Sequence, residues 1–232
     1  MTPKNLLIFG GTGPSGVATV NLALAHGHTV IIHARNPDKL SPETLAHPNI
    51  KVFKGELTDT APLSAAFAQK PDAVISLLGP TASASLMPWT IGDTFTDGYR
   101  RIVAEMRNNG VKRILAMGTV SIYVPEDKPS LGRAFLVWIV YLLVHAAWRQ
   151  IIGISELFQK EAQDLNWTIF RIGNLGNGPV GEIAEGYVGD GNTSLGIQRS
   201  ELAEWLVGEA EKDDSRWTKG FPSVSTALKK KV

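Results

Sequence analysis

The chain has 232 residues, of which 44% are apolar, and its formal net charge at pH 7 is +1. This length and composition suit one large α/β domain, and the near-neutral charge gives no electrostatic basis for binding nucleic acid. The absence of cysteine excludes disulfides, zinc–thiolate sites and thiol nucleophiles, and no metal site is predicted. Because the N-terminus has the pattern of a core strand and not of a signal peptide, we predict a cytoplasmic protein.

Apolar strand patterns alternate with helical patterns along the chain. Strands are predicted at 4–9, 28–34, 50–54, 72–78, 112–118 and 167–172, with a weaker one near 217–222. Helices are predicted at 14–26, 37–46, 60–69, 89–109, 131–164 with a break near Gly153, and 199–212. Such alternation forms βαβ units, and right-handed crossovers turn these into a doubly wound parallel sheet covered on both faces. We therefore predict a single α/β domain over residues 1–232.

A glycine-rich segment, residues 172–198, follows the last well-defined strand. In doubly wound sheets, ligands bind beyond the carboxyl ends of the strands. A connection this long inside a compact domain is usually functional or mobile. We expect the segment to form a small C-terminal extension on the substrate side.

The segment Gly10–Gly16 follows the first predicted strand directly and opens the first helix. A Gly-x-Gly-x-x-Gly string in that context is typical of a dinucleotide site, because the start of the helix presents free N–H groups to a pyrophosphate. Gly11 and Gly13 are expected to form the tight turn, and Gly16 lets the helix pack close to the sheet. We predict that Gly10, Gly13 and Gly16 belong to a cofactor site, the alternative being a turn without a ligand.

The choice between NAD and NADP depends on the end of the second predicted strand. An acidic residue at this position binds the ribose 2′-hydroxyl of NAD, whereas this chain has Ala34-Arg35-Asn36. Arginine matches a 2′-phosphate through paired, charge-assisted hydrogen bonds. NADP is therefore the predicted cofactor, with Arg35 and Asn36 in its site. The alternative is that Arg35 is a plain surface residue beside the next helix.

With these motifs and the segments 55–59, 75–79 and 167–175, the chain resembles the short-chain dehydrogenase/reductase superfamily. It is similar in particular to the atypical single-domain branch with a Rossmann fold, which includes NmrA-like proteins and biliverdin-reductase-B-like flavin reductases. The resemblance implies contacts along the whole dinucleotide. It implies Thr12, Pro14 and Ser15 at the pyrophosphate, Glu56 and Leu57 at the adenine, Leu78 and Gly79 at the ribose, and Thr119 and residues 172–175, with Asn174, near the nicotinamide.

The usual proton relay of this superfamily is missing. Its standard members carry a tyrosine and a lysine four residues apart on one helix, and no tyrosine here has a lysine at that spacing. Tyr141 and His145 share the spacing, so one helix would place them on the same face as a substitute pair, unless both are core or interface groups. Ser121 and Tyr123 follow the strand at 112–118 and are candidates for holding a substrate oxygen, unless their hydroxyls serve the turn.

Residues 134–148 are almost wholly apolar. As a helix they reach about 22 Å, short of the roughly 30 Å of a hydrocarbon core, so membrane insertion is not predicted. A helix that is apolar all round is usually buried. The expected roles are a homodimer contact or a wall of a hydrophobic substrate pocket, with peripheral membrane contact as the remaining alternative.

Three functions stay open at this point. The first is an NADPH-dependent oxidoreductase that reduces a hydrophobic small molecule. The second is a redox-neutral isomerase, cyclase or dehydratase of the same fold, and the third is a non-enzymatic, NADP-sensing regulator of the NmrA-like type. The missing tyrosine–lysine pair weakens the first without removing it, because positioning of the reactants can itself supply about 7–11 kcal/mol.

Overall fold

The computed structural model describes residues 2–79 and 94–228 of the chain. Residues 80–93, which include the start of the helix predicted at 89–109, lie outside the described residues. The strands are β1 (Asn5–Phe9), β2 (Thr29–Ala34), β3 (Ile50–Lys54), β4 (Ala73–Ser76), β5 (Arg113–Thr119), β6 (Asn166–Ile172), β7 (Asn174–Gly176), β8 (Ile183–Gly186), β9 (Gly196–Gln198) and β10 (Ser223–Thr226). The helices are α1 (Pro14–Ala25), α2 (Pro42–Leu45), α3 (Thr60–Phe67), α4 (Thr94–Asn108), α5 (Leu131–Leu143), α6 (His145–Glu161) and α7 (Arg199–Glu211).

The main sheet has eight strands in the order β3-β2-β1-β4-β5-β6-β10-β8. All neighbours in it are parallel except β10 and β8, which run antiparallel. The strand order reverses at β1, which pairs with β2 on one side and with β4 on the other. In a doubly wound sheet this reversal opens a crevice at the carboxyl ends of the strands, where ligands bind. The predicted α/β fold is therefore confirmed, with one antiparallel edge strand added.

Both faces of the sheet are covered. Leu7 and Phe9 of β1 belong to a core cluster that includes residues of α4 and α6. Their neighbours Leu6 and Ile8 point to the opposite face and pack with residues of α1 and α7. Because successive side chains of a strand alternate between faces, burial of all four positions requires helices on both sides.

Two predicted helices are interrupted. The helix predicted at 37–46 consists of a 3-10 turn over Pro37–Lys39 and the short α2, because Leu40 and Ser41 are extended ahead of Pro42. The long helix predicted over 131–164 does not break at Gly153, which lies inside α6. It breaks at Val144, whose φ of −138° and ψ of 46° end α5, and the axes of α5 and α6 differ by 113°.

Two other expectations are also corrected. The glycine-rich segment 172–198 is not a plain loop, because β7 and β9 pair in a small second sheet and β8 extends the main sheet. The weak strand expected near 217–222 lies at β10 instead. Residues Trp217–Gly220 form a turn, in which Lys219 has a positive φ of 57° and Gly220 donates its N–H to Trp217.

Among the described residues, no single helix has the length and apolar character needed to cross a membrane. By length and composition alone, the bent pair of α5 and α6 meets that requirement only when the two helices are taken together.

Candidate functional site

The turn after β1 is built from glycines with different steric roles. Gly10 has a φ of +74°, and a Cβ atom at this position would lie 3.0 Å from the backbone carbonyl of Leu77. A Cβ on Gly16 would overlap the carbonyl oxygen of Gly10 and lie 2.6 Å from the Cα of Gly11. The left-handed residue of this turn is thus Gly10.

Gly13 is needed for a different reason. Among the described residues, the only atom within 4 Å of a Cβ added there is the carbonyl oxygen of Gly10, at an ordinary 3.5 Å. Gly13 is also the N-cap of α1, where no side chain accepts a hydrogen bond and no acidic residue occupies the first turn. The helix therefore begins with an open, positively polarised end beside Thr12 and Ser15, which is the environment that a phosphate group prefers.

A cavity of about 650 Å³ lies along the carboxyl ends of β1, β2 and β3 and the beginning of α4. Its wall contains seven of the predicted cofactor residues, namely Gly10, Thr12, Arg35, Asn36, Glu56, Leu57 and Leu78. The other lining residues were not predicted as cofactor residues, and they include His33, Lys39, Phe95 and Arg101. The structure thus brings the glycine turn, the Arg35 segment and the loop after β3 together in one crevice.

Three cations in this wall have no hydrogen-bonding or ion-pair partner in the part of the chain that the structure describes: Arg35, Lys39 and Arg101. All three side chains are exposed. Arg100 shows the contrast, because its guanidinium is paired with Asp97 at 2.9 Å and with Glu161 at 3.2 Å. The wall of the cavity therefore carries three unpaired positive charges, alongside the carboxylates of Glu56 and Asp97.

His33 forms part of the floor of the cavity and is only 3% exposed. Its ring lies 5.5 Å from that of Phe9, and its Nε2 atom has no hydrogen-bond partner among the described residues. Burial lowers the pKa of His33, although the charge of Asp59 acts in the opposite direction. The ring is therefore neutral at neutral pH and offers an unused polar atom to a ligand. The sequence clue was a histidine that follows three apolar residues, 30–32, in β2.

A buried pair supports the exit of β4. The hydroxyl of Tyr99 lies 2.7 Å from the Oγ of Ser76 and donates to the carbonyl of Leu78 at 3.4 Å. Burial raises the pKa of Tyr99 far above its ordinary value, and the hydrogen bond with Ser76 only partly offsets this. Tyr99 therefore supports the backbone at Leu78, which lines the cavity. Its hydroxyl is unsuited to acid–base chemistry at neutral pH.

Ser121 and Tyr123 lie in the turn directly after β5. Ser121 is buried and donates its backbone N–H to the Oγ1 of Thr119 at 3.3 Å. The ring of Tyr123 is 61% exposed and is covered on one face by the guanidinium of Arg133, 3.5 Å from the ring centroid. Three hydroxyl-bearing residues thus stand at the carboxyl end of β5, the position predicted for the substrate side.

An ion cluster that the sequence did not reveal holds this turn in place. The carboxylate of Asp127 accepts hydrogen bonds from Arg133 at 2.7 Å and from Arg171 at 2.6 and 2.9 Å. Arg133 also donates to the carbonyls of Val120 and Ile122. Burial alone would raise the pKa of Asp127, but hydrogen bonds and charge from Arg171, with the charge of Arg133, outweigh it and hold the pKa below its ordinary value.

The expectation that Tyr141 and His145 share one helix face is wrong. Tyr141 belongs to α5 and His145 is the first residue of α6, on the far side of the break. Their rings nevertheless meet edge to face, with centroids 4.7 Å apart, and His145 stacks on Trp148 at 5.5 Å. The aromatic cluster braces the bend, and neither Tyr141 nor His145 lines the cavity.

Pro14, Gly79 and Asn174 were also predicted as cofactor residues, and none of them lines the cavity. Pro14 is the first residue of α1. A Cβ on Gly79 would lie 2.6 Å from the Cε of Met117, so this backbone runs close against β5. Asn174 is exposed at the start of β7 and donates its backbone N–H to Leu195 at 2.8 Å, which places it in the small second sheet.

Comparison with known proteins identifies the family and the fold of the chain. The family model described as NAD(P)H-binding matches residues 10–213. A short-chain dehydrogenase/reductase from Veillonella parvula, solved in complex with NADP, has a TM-score of 0.76 at 15% identity, over 97% of this chain and 95% of that one. The anaerobilin reductase ChuY from Escherichia coli O157:H7 has a TM-score of 0.71 at 20% identity, over 98% of this chain and 100% of its own.

A third similar structure, the oxidoreductase ylbE from Lactococcus lactis, has a TM-score of 0.66 at 18% identity, over 96% of this chain and 92% of that one. At these identities the solved structures show a shared fold, and the family match covers most of the chain. The chain therefore belongs to the NAD(P)H-binding family, with the single-domain Rossmann fold of the short-chain dehydrogenase/reductases.

Proposed function

We propose that the protein is an NADPH-dependent reductase of a hydrophobic small molecule. The observation that carries the proposal is the group of three unpaired cations, Arg35, Lys39 and Arg101, in the same cavity as the glycine turn. A dinucleotide with an additional phosphate on its adenosine ribose matches this distribution of charge.

Each part of the cofactor has suitable residues in the crevice. The open N-terminus of α1 at Gly13 suits the pyrophosphate. The three cations suit the 2′-phosphate, a dianion at neutral pH that NAD lacks, through charge-assisted hydrogen bonds. The unused Nε2 of His33 and the apolar surfaces of Leu57 and Phe95 suit the adenine.

The chemistry of the reductase is assigned to the carboxyl end of β5. When bound, NADPH supplies a hydride. Thr119, Ser121 and Tyr123 provide hydroxyls that orient a carbonyl or a similar polar group of the substrate, and the Asp127 cluster keeps their turn rigid. Without the tyrosine–lysine pair, the proton comes from solvent, and the protein contributes mainly by positioning.

The hydrophobic substrate class is inferred from the same region. A second cavity of about 450 Å³ has the apolar side chains of Val124, Leu131 and Ala134 in its wall, with Tyr123 beside them. The same wall also contains Asp127, Lys128 and Arg133. The similar protein ChuY is described as a reductase, which supports a reduction, and the Veillonella parvula protein was solved with NADP bound, which supports NADP as the coenzyme.

The test combines binding with turnover. NADPH should bind to the wild-type protein more tightly than NADH in calorimetry, and Arg35→Ala should weaken NADPH binding roughly 10- to 100-fold, the equivalent of about 1.5–3 kcal/mol, while leaving NADH binding nearly unchanged. Equal losses for both coenzymes would contradict the preference for NADP. Loss of NADPH absorbance in a screen of hydrophobic carbonyl compounds would then establish the reductase.

The two other functions remain distinguishable alternatives. Counted back from Trp167, the positions that would hold the tyrosine–lysine pair in the superfamily are roughly Trp148 and Ile152, so the chain offers no standard relay there. A redox-neutral enzyme would form product without loss of NADPH absorbance. A regulator would bind a protein partner only in one redox state of the coenzyme and would turn over none of the compounds.

A further inference from the structure

Helix α5 exposes a broad apolar surface. Leu131 is 92% exposed, Phe135 64% and Trp138 59%, and the same helix also exposes Tyr141, Leu142 and Leu143. We name these six residues the apolar face of α5. Contact between water and an apolar surface of this size is energetically unfavourable. Such a surface therefore indicates a binding partner that covers it.

The width of this face indicates what covers it. At 100° per residue, the exposed positions of α5 spread over about 200° of the helix circumference, twice the stripe of roughly 100° that a helix turns toward a protein core. One partner helix, including α5 of a second copy, covers a stripe of that kind and leaves the rest in water. A continuous apolar medium covers the whole arc.

The polarity of α5 supports the same conclusion. Its only charged residue, Arg133, is turned inward to Asp127 and is 2% exposed. A protein–protein interface carries a polar rim and about one hydrogen bond per 100–200 Å², whereas the side chains of the apolar face of α5 offer only the hydroxyl of Tyr141 and the indole N–H of Trp138. Tryptophan and tyrosine are the residues enriched where protein meets the boundary of a bilayer.

The bend at Val144 determines how α5 meets such a boundary. Ile151, Ile154 and Leu157 anchor α6 in the core of the domain. Since α5 leaves α6 at 113°, the pair does not form a straight span. The bend presents α5 as an outlying helix suited to lie in the plane of a membrane surface.

We propose that the protein docks on lipid bilayers by inserting the apolar face of α5 into the headgroup–acyl boundary. The second cavity is shared by Leu131, at the start of α5, and Tyr123, in the turn after β5. Docking therefore brings the substrate side to the membrane. This part of the inference rests on the proposed function, and it identifies the substrate as a lipid-soluble compound taken from the bilayer.

The experiment is flotation of the full chain, with and without NADPH, on phosphatidylcholine vesicles and on vesicles that also contain an anionic phospholipid. Trp138→Glu is the test variant. Leu228→Glu, at another exposed apolar residue (48% exposed) outside α5, is the matched control. Coenzyme binding is measured separately for each protein by calorimetry, and the mass in solution by light scattering.

The expected result is salt-resistant flotation of the wild type on phosphatidylcholine, about tenfold or more weaker partitioning of Trp138→Glu, and no change for Leu228→Glu. NADPH binding should be the same in all three proteins. A wild type that never floats would overturn the proposal, and so would binding only to anionic vesicles that salt abolishes. A dimer that Trp138→Glu converts to a monomer, without lipid binding, would assign the face to a second copy instead. If the protein floated with the vesicles but bound no coenzyme, the membrane docking would be supported and the proposed reductase function would be contradicted.

Discussion

Asp127 and Arg171 form a bidentate ion pair in the interior, with donor–acceptor distances of 2.6 and 2.9 Å. The guanidinium of Arg171 is fully buried and the carboxylate of Asp127 nearly so. Arg171 also donates to the carbonyls of Phe221 and Ile122. The pair thereby connects β6 to the turn that carries Ser121 and Tyr123.

Asp127→Asn should destabilise the protein strongly. The substitution leaves Arg133 and Arg171 buried without a compensating charge, and breaking one side of a buried ion pair costs about 3–5 kcal/mol. The free energy of unfolding in urea measures this. Glu156→Gln, which breaks the exposed pair with Lys160, is the control and should change stability by no more than about 0.5 kcal/mol. Similar losses of unfolding free energy in both variants would show that the Asp127 ion cluster contributes no more to stability than an exposed ion pair.

The carboxylate of Asp127 should also make the stability of the protein depend on pH. The pKa of Asp127 in the folded state lies below its ordinary value of 3.8. Its contribution to stability is therefore fully present above about pH 4 and is lost as the pH falls through the folded value. The wild type should lose more free energy of unfolding than Asp127→Asn between about pH 6 and about pH 3 in urea titrations. Parallel pH curves for the two proteins would contradict this assignment.

Substitutions at two glycines of the first turn should have different effects, one on the stability of the protein and the other on coenzyme binding. Gly16→Ala places a methyl group on the carbonyl oxygen of Gly10, so its thermal unfolding temperature should fall sharply. Gly13→Ala meets only an ordinary contact, and its φ of −80° is allowed for alanine, so stability should hardly change. Its Cβ would nevertheless occupy the space over the helix N-terminus, and NADPH binding in calorimetry should fall at least tenfold, the equivalent of about 1.4 kcal/mol. A Gly13→Ala protein that binds normally would place the pyrophosphate elsewhere.

Lys39 and Arg101 should discriminate between coenzymes, whereas His33 should not. Alanine at either cation should weaken NADPH binding about tenfold or more, with little effect on NADH, because only NADPH has the 2′-phosphate. Arg100→Ala is the matched control, since that arginine is already paired with Asp97 and Glu161. His33→Phe should weaken both coenzymes alike, because the adenine is common to them. If His33→Phe weakened the binding of NADPH alone, His33 would have to contact the 2′-phosphate and not the adenine.

Much of the cofactor half of the fold was predictable. The strands from β1 to β6 lie within two residues of their expected bounds at either end, and the cavity joins the glycine turn to Arg35 as the motifs indicated. These features depend on short-range patterns, such as apolar periodicity and a glycine string between a strand and a helix. The break at Val144 was not predicted, because no glycine or proline marks it. For the same reason, the prediction that Tyr141 and His145 lie on one face of a single helix was wrong.

By itself, the sequence determined the order of strands and helices, the position of the dinucleotide turn and the loss of the standard tyrosine–lysine relay. Only the tertiary structure decided that Arg101 shares a cavity with Arg35, that Asp127 meets Arg171 across 44 positions, and that α5 turns its apolar face outward. The physical reason is that turns and periodicity act between neighbours in the chain. Contacts between distant side chains depend on how whole helices and strands pack, and the local pattern does not carry that information.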